Sequence, residues 1–210
     1  MSFKIPLSAS RIKTAHNCSY LFWTRYGPMK LPDRSNSGAL LGGLVHIILE
    51  CLAAPRRRRL AEALIKSRNF IGREKCPVER LLVKLLQKAG ILDAPTLMKA
   101  ESFIINGLSH DFFGENKEGL VVAYTEKDFD IEENGRYKIR GFIDRLFLYE
   151  DGHALIRDYK SSKETYKSIQ EGDLQGIMYC LAVKKLFPSV KTISVEFLFN
   201  NCIRRLYFYE

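Results

Sequence analysis

Apolar positions recur at two different periods along this chain, and the change falls near residue 119. Before it the spacing is helical. Residues 8–26, SASRIKTAHNCSYLFWTRY, place Ile12, Ala15 and Cys18–Leu21 on one helical face, and Ser8 or Ser10 can cap the start. LPDRSNSG (31–38) has the composition of a loop. ALLGGLVHIILECLAA (39–54) is apolar nearly all round and stops at Pro55, the pattern of a helix buried on every side. From Pro55 to about residue 118 the segments RRRRLAEALIKSR and VERLLVKLLQKAG are amphipathic and basic, with Gly90 as a helix stop. This block carries no catalytic pattern. The Arg56–Arg59 run reads as a solvated helix start, with a phosphate contact as the alternative.

Past residue 119 the period is that of strands: GLVVAYTEKDFDI, RYKIRGFIDRLFLY and HALIRDYK. DLQGIMYCLAVKKLF (173–187) returns to helical spacing, with Leu174, Met178, Leu181 and Leu186 near one face. KTISVEFLFNN and CIRRLYFYE close the chain as a hairpin around Asn200 and Asn201. Helices, three strands, a helix and two strands predict an α/β (α+β) fold, a central mixed β-sheet flanked by helices. The reading is one domain over 1–210 with a helical elaboration at about 55–118.

Composition narrows the class. A chain of 210 residues buries roughly 70% of its unfolded surface and needs no covalent staples. No run of about 18 apolar residues predicts a membrane span, and MSFKIPLSAS lacks the apolar stretch of a signal peptide, so a cytoplasmic setting is expected. The five cysteines (Cys18, Cys51, Cys76, Cys180, Cys202) are odd in number and contain no C-x-x-C pair. They read as mostly buried thiols rather than a disulfide framework or a zinc site. The net charge of +9 favours a polyanionic partner, nucleic acid above all.

The chemistry concentrates at the ends of two strands. Asp144 lies in RGFIDRLF and Asp158 in IRDYKSSK, and a carboxylate on an apolar strand is costly to bury without a cation. Two loops are open for YEDGHA. A two-residue Asp151-Gly152 loop puts the two acids on opposite faces. A three-residue loop, with Gly152 left-handed, sets Asp144 directly opposite Asp158 at about 4.5–5.5 Å between Cβ atoms. Lys160 follows on the same face as Asp158. Two acids and an amine of this kind suit Mg²⁺ or Mn²⁺ better than zinc. The plainer alternative is a surface ion pair, Asp158–Lys160 or Asp144–Arg145. His46, one helical turn after Gly42 and Gly43, reads either as a core histidine or as a ligand that those glycines let something approach. Gln175 and Tyr179 form an i,i+4 pair on the following helix.

Taken together and in order, LSASRIKTAHNCSYLFWTRY, GGLVH, GFIDRL, IRDYKSSK and DLQGIMY resemble the motifs of the PD-(D/E)XK nuclease superfamily, in particular its RecB-like branch. That branch includes recombination helicase-nuclease domains and CRISPR-adaptation exonucleases. The resemblance implies a restriction-endonuclease-like core and a metal held by His46, Asp144, Asp158 and the backbone carbonyl of Tyr159. It gives Lys160 the role of orienting the attacking water and offsetting charge on the phosphate, with Gln175 and Tyr179 bracing Lys160 or the scissile strand. Many RecB-like nucleases carry an iron–sulfur cluster on four cysteines. Here only Cys18 stands at a matching place, with Cys202 alone near the C-terminus, so no cluster is expected in this sequence unless it ends before the remaining cysteines.

The resulting expectation is a metal-dependent DNA nuclease, exonuclease-like or acting on single-stranded DNA, in a bacterial, archaeal or phage-encoded setting. Its implied partners are DNA and proteins of recombination or CRISPR adaptation; the oligomeric state is not legible. The alternative is a non-catalytic DNA-binding or assembly module on the same fold. A hydrolase or transferase of small substrates ranks last, because no Gly-rich phosphate loop or Ser/His nucleophile motif is present.

Overall fold

The helical and strand segments follow in the order α1 (Ala9–Asn17), α2 (Ser19–Tyr26), α3 (Ser37–Ala53), α4 (Arg58–Ser67), α5 (Pro77–Lys88), α6 (Ala94–Leu108), β1 (Leu120–Glu133), β2 (Tyr137–Tyr149), β3 (His153–Tyr159), α7 (Tyr166–Leu186), β4 (Thr192–Leu198) and β5 (Ile203–Phe208). The structure is a computed structural model that describes residues 5–28, 31, 37–73, 75–133, 137–161, 166–200 and 202–208, with α7 side chains described from Leu174 onward. The five strands form one sheet in chain order. β1, β2 and β3 pair antiparallel, β3 and β4 pair parallel across the α7 crossover, and β4 and β5 pair antiparallel. The fold is therefore the expected mixed α/β sheet with helices around it.

Two apolar cores meet at the end of β3. One joins α3 to α6 through Val45, Ile48, Leu82, Leu86 and Ile104, and takes in Tyr159 and Leu198. The other lies between the sheet and α7 and includes Ile143, Ile156, Val195, Met178, Tyr179 and Val183. Consecutive strand residues point to opposite faces. Tyr159 thus packs among the helices while Asp158 reaches α7. Alternation at two residues places one strand end between both helical layers.

Four local expectations need correction. Residues 8–26 form two helices rather than one: Cys18 is extended (φ −161°), ends α1, and caps α2 by accepting from Leu21 N–H at its Sγ. Ser8 is the α1 cap. Helix α3 is buried on one side only, since Gly43, Ile47 and Glu50 face outward; apolar composition overstates burial where a helix lies at the margin of the core. On α7 the buried positions among the described side chains are Gly176, Met178, Tyr179, Cys180, Ala182 and Val183, whereas Leu181 and Leu186 are exposed. Small and aromatic residues let the helix lie close to the sheet. Of the cysteines only Cys180 is buried, and no disulfide joins any of them. The loop expected at 31–38 falls largely outside the described residues, apart from Leu31, and Ser37 and Gly38, which already belong to α3. Asn201 of the final hairpin also lies outside them, although β4 and β5 do pair as expected. No single described helix is long and apolar enough to cross a membrane.

Candidate active site

The β2–β3 register decides whether the two aspartates meet. Pairing runs from Leu148↔Ala154 to Arg145↔Arg157, so the connection is the three-residue loop and Asp144 lies level with Asp158. Gly152 adopts φ +80°, the left-handed conformation that this loop needs and that costs glycine nothing. Asp151 accepts from the His153 N–H and pairs with Lys117, which holds the turn closed. Both aspartates are buried, Asp144 at 8% exposure and Asp158 at 3%. Arg145 turns away to Thr125 and the Phe112 carbonyl, so the Asp144–Arg145 pair does not form.

A third acid joins the row. On β1 the pairs Thr125↔Arg145 and Lys127↔Ile143 bracket Glu126 and set it level with Asp144. Glu126 has φ +48°, a left-handed conformation that costs a non-glycine residue about 1–2 kcal/mol. Sequence reading missed this residue. The available signal was the β1–β2 register, which brings Glu126 onto the line of Asp144 and Asp158.

Helix α3 supplies His46. One turn earlier, a Cβ on Gly42 would lie 2.6 Å from Ser161 Oγ and 3.5 Å from Ser161 Cβ, so glycine leaves room there for the Ser161 hydroxyl just after β3. Gly43 has nothing within 4 Å of the equivalent point. His46 Nε2 donates to the Tyr159 carbonyl at 2.9 Å, and Nδ1 lies 3.4 Å from Asp144 Oδ1 and 4.0 Å from Glu126 Oε1. Asp144 Oδ2 in turn accepts from the Tyr159 N–H at 2.8 Å. Burial alone would lower the imidazole pKa, but the hydrogen bond and charge of Asp144, with Asp158 and Glu126 behind it, raise it to about 9. Burial and then the Asp144 charge raise Glu126 to about 7. Asp144 itself is pushed upward, by burial first and then by Asp158.

On the other side of the strand end, four groups close a ring. Lys160 Nζ lies 2.6 Å from Asp158 Oδ2 and donates to Gln175 Oε1 at 2.6 Å. Gln175 Nε2 donates to Asp158 Oδ1 at 3.0 Å and to Tyr179 Oη at 2.6 Å, and Tyr179 donates to Asp158 Oδ1 at 2.7 Å. Burial, with the Asp158 charge second, holds the Tyr179 hydroxyl far above its ordinary pKa, so it remains a donor. Asp158 Oδ2 is at ion-pair distance from Lys160 but has no partner in hydrogen-bond geometry. The pair is largely buried rather than a solvated surface contact.

The structure thus brings His46, Asp144, Asp158, Tyr159, Lys160, Gln175 and Tyr179 to one strand end. Ligand atoms of His46, Glu126 and Asp144 lie within 4.8 Å of one another, a group able to hold a metal ion. Carboxylates, a carbonyl and an imidazole are donor types that hydrolytic metal centres use. The family profile of the PD-(D/E)XK nuclease superfamily matches residues 6–206, and this chain belongs to that superfamily. Among curated proteins no match is found.

Proposed function

We propose that this protein is a divalent-metal-dependent deoxyribonuclease of the RecB-like branch, hydrolysing phosphodiester bonds in single strands or from DNA ends. The observation that carries this reading is the row of Glu126, Asp144 and Asp158 across three adjacent strands, flanked by His46 and Lys160. Burial first, and then the repulsion between these carboxylates, raises the Glu126 and Asp144 pKa values. Like charges this close ionise together only with a cation between them.

The residues fit Mg²⁺ or Mn²⁺. Asp144, the Tyr159 carbonyl and His46 would hold the ion together with Asp158, which faces Lys160, Gln175 and Tyr179, and Glu126 clusters with His46 and Asp144. An oxygen-rich set with one imidazole suits these metals. Bound there, the ion supplies a hydroxide equivalent at neutral pH and a positive charge facing the phosphate. Lys160 orients the attacking water and faces the charge that develops on the scissile phosphate. Gln175 and Tyr179 are positioning residues: their ring of hydrogen bonds fixes both the Asp158 carboxylate and the Lys160 ammonium. His46 must release a proton before it can ligate, and Asp144, its hydrogen-bond partner, is oriented by the Tyr159 N–H.

The domain reading is one catalytic domain, with the helices over about 55–118 as an elaboration. Partners in recombination or CRISPR adaptation are supported by motif order alone. The test is cleavage of linear and circular DNA, single-stranded and duplex, with Mg²⁺, Mn²⁺ or EDTA, beside Asp158→Asn. Metal-dependent cutting that the variant lacks supports the reading, and the linear–circular comparison reports any need for an end. A chain that binds DNA but cuts none of these substrates with either metal contradicts it.

A further inference from the structure

A cavity of about 620 Å³ opens beside the strand end, and three residues of the proposed site, Lys160, Gln175 and Tyr179, form one of its walls. The opposite walls come from α1 and from β2. Leu7 bridges β2 at Ile139, taking a hydrogen bond from Arg140 N–H and giving one to the Lys138 carbonyl, so α1 is tied alongside the strand. Ser8 then starts the helix, and Ile12, Lys13 and His16 line the cavity. From β2 come Arg140 and Phe142.

Phe142 is 53% exposed on a strand whose next six residues, except Leu148, are buried. A lone exposed aromatic needs no explanation. This one stands at the wall of a groove that also carries Lys160, Gln175 and Tyr179, the three partners of Asp158, with Phe129 and Met178 as apolar neighbours in the lining. Asp128 sits across from Phe142 on β1, but its carboxylate lies 3.6 Å from Lys127. The remaining charged lining at the groove, Lys13, Arg140 and Lys160, is basic.

Size and chemistry together select the occupant. The volume falls within the range of about 300–1,000 Å³ typical of clefts that enclose one small ligand. A duplex is far too wide to enter. An unpaired base has a flat face for an aromatic ring whatever its identity, and its phosphates seek cations.

We propose that this groove seats one unpaired nucleotide of the substrate strand beside the scissile phosphate, its base stacked on Phe142 and its backbone facing Lys13 and Arg140. The inference rests on the nuclease reading and deepens it: the groove makes an unpaired strand, rather than duplex, the form presented to Lys160.

The test is binding of a short oligodeoxythymidylate carrying one 2-aminopurine, in EDTA so that no cutting intervenes, with the full chain. Stacking in the wild type quenches the 2-aminopurine. Phe142→Ala is expected to remove the quench and to weaken single-strand binding about tenfold. Phe142→Trp is expected to restore both. Affinity for a blunt duplex is expected to change by less than about twofold in either variant. Phe142 is exposed, so both variants should keep the wild-type melting temperature. Single-strand affinity unchanged in Phe142→Ala, an equal loss on duplex, or no quench in the wild type each overturns the proposal. Wild type that stacks the base but cuts nothing with Mg²⁺ or Mn²⁺ leaves a strand-binding groove and removes the nuclease reading. Metal-dependent cutting with Phe142→Ala binding as wild type does the reverse.

Discussion

The Tyr159 backbone is held from both ends by the site: its N–H donates to Asp144 Oδ2 at 2.8 Å, and its carbonyl accepts from His46 Nε2 at 2.9 Å. One peptide-flanked residue therefore couples β2 to α3, and its own side chain is buried among the helices. The strand end that carries Asp158 and Lys160 is fixed by these contacts rather than by the ladder alone. From this arrangement four outcomes are expected.

Lys160→Ala should reduce cleavage by about 10²–10³-fold, the usual cost of removing one preorganised group facing developing charge. Single-strand binding in EDTA should fall only a few-fold, because other basic residues also line the groove. Cleavage kinetics and fluorescence anisotropy on the same oligonucleotide check this. Retained cleavage in this variant would end the assignment of Lys160.

Glu126→Gln tests the missed acid through pH. The folded-state pKa of Glu126 is raised from 4.5 to about 7, so the folded protein holds a proton that the unfolded chain has already lost. Between those values the native state binds more protons, and wild-type stability falls as pH rises. Glutamine removes that slope. Without metal, the variant should therefore gain on the wild type from about pH 4.5 and level off above about 7. The gap is expected to be several degrees, at about 2–4 °C per kcal/mol for a chain of this size. Added Mg²⁺ or Mn²⁺ should close it by stabilising the wild type more. Thermal melts across pH in EDTA and in metal give the answer, and parallel curves would remove Glu126 from the site.

Gly42→Ala and Gly43→Ala form a matched pair on one helix. At Gly42 the new methyl meets Ser161 Oγ at 2.6 Å, so the Ser161 side chain just after Lys160 must rotate or shift out of its place. Overpacking of this kind costs about 1–3 kcal/mol, and cleavage should drop with it. At Gly43 nothing lies within 4 Å, so alanine should raise stability by about 1 kcal/mol through helix propensity and leave activity intact. Melting temperatures with opposite signs are the expected readout.

Glu196→Ala should separate stability from chemistry. Arg157 is 3% exposed and donates through Nε and Nη2 to Glu196, while Arg205 pairs with the same carboxylate from the rim. Removing the acid strands a buried guanidinium at a cost of about 3–5 kcal/mol. Urea denaturation should show the full loss, whereas cleavage by the remaining folded protein should stay within about threefold of wild type.

Much of this was legible in the residues themselves. The order of helical and strand periods predicted the mixed sheet, since burial of one face imposes its period on the sequence wherever it occurs. The motif order around His46, Asp144, Asp158 and Lys160 pointed to the superfamily that the profile match assigns. Local chemistry also narrowed the α1 cap to Ser8 or Ser10, and Ser8 serves.

The rest depended on long-range geometry. Sequence left two loops open for YEDGHA, and only the ladder from Leu148↔Ala154 to Arg145↔Arg157 chose the one that sets Asp144 beside Asp158. Glu126 was invisible because its neighbours in the chain say nothing about which residue of β2 it faces; pairing across strands is a property of register. The exposed Leu181 and Leu186 were misplaced for a related reason: helical spacing identifies a face, but the sheet decides which face it covers. Tyr159 shows the limit most plainly. The resemblance named its carbonyl as a metal ligand, but only the packing of α3 against the end of β3 brings His46 to that carbonyl, and only the strand pairing brings Asp144 to its N–H.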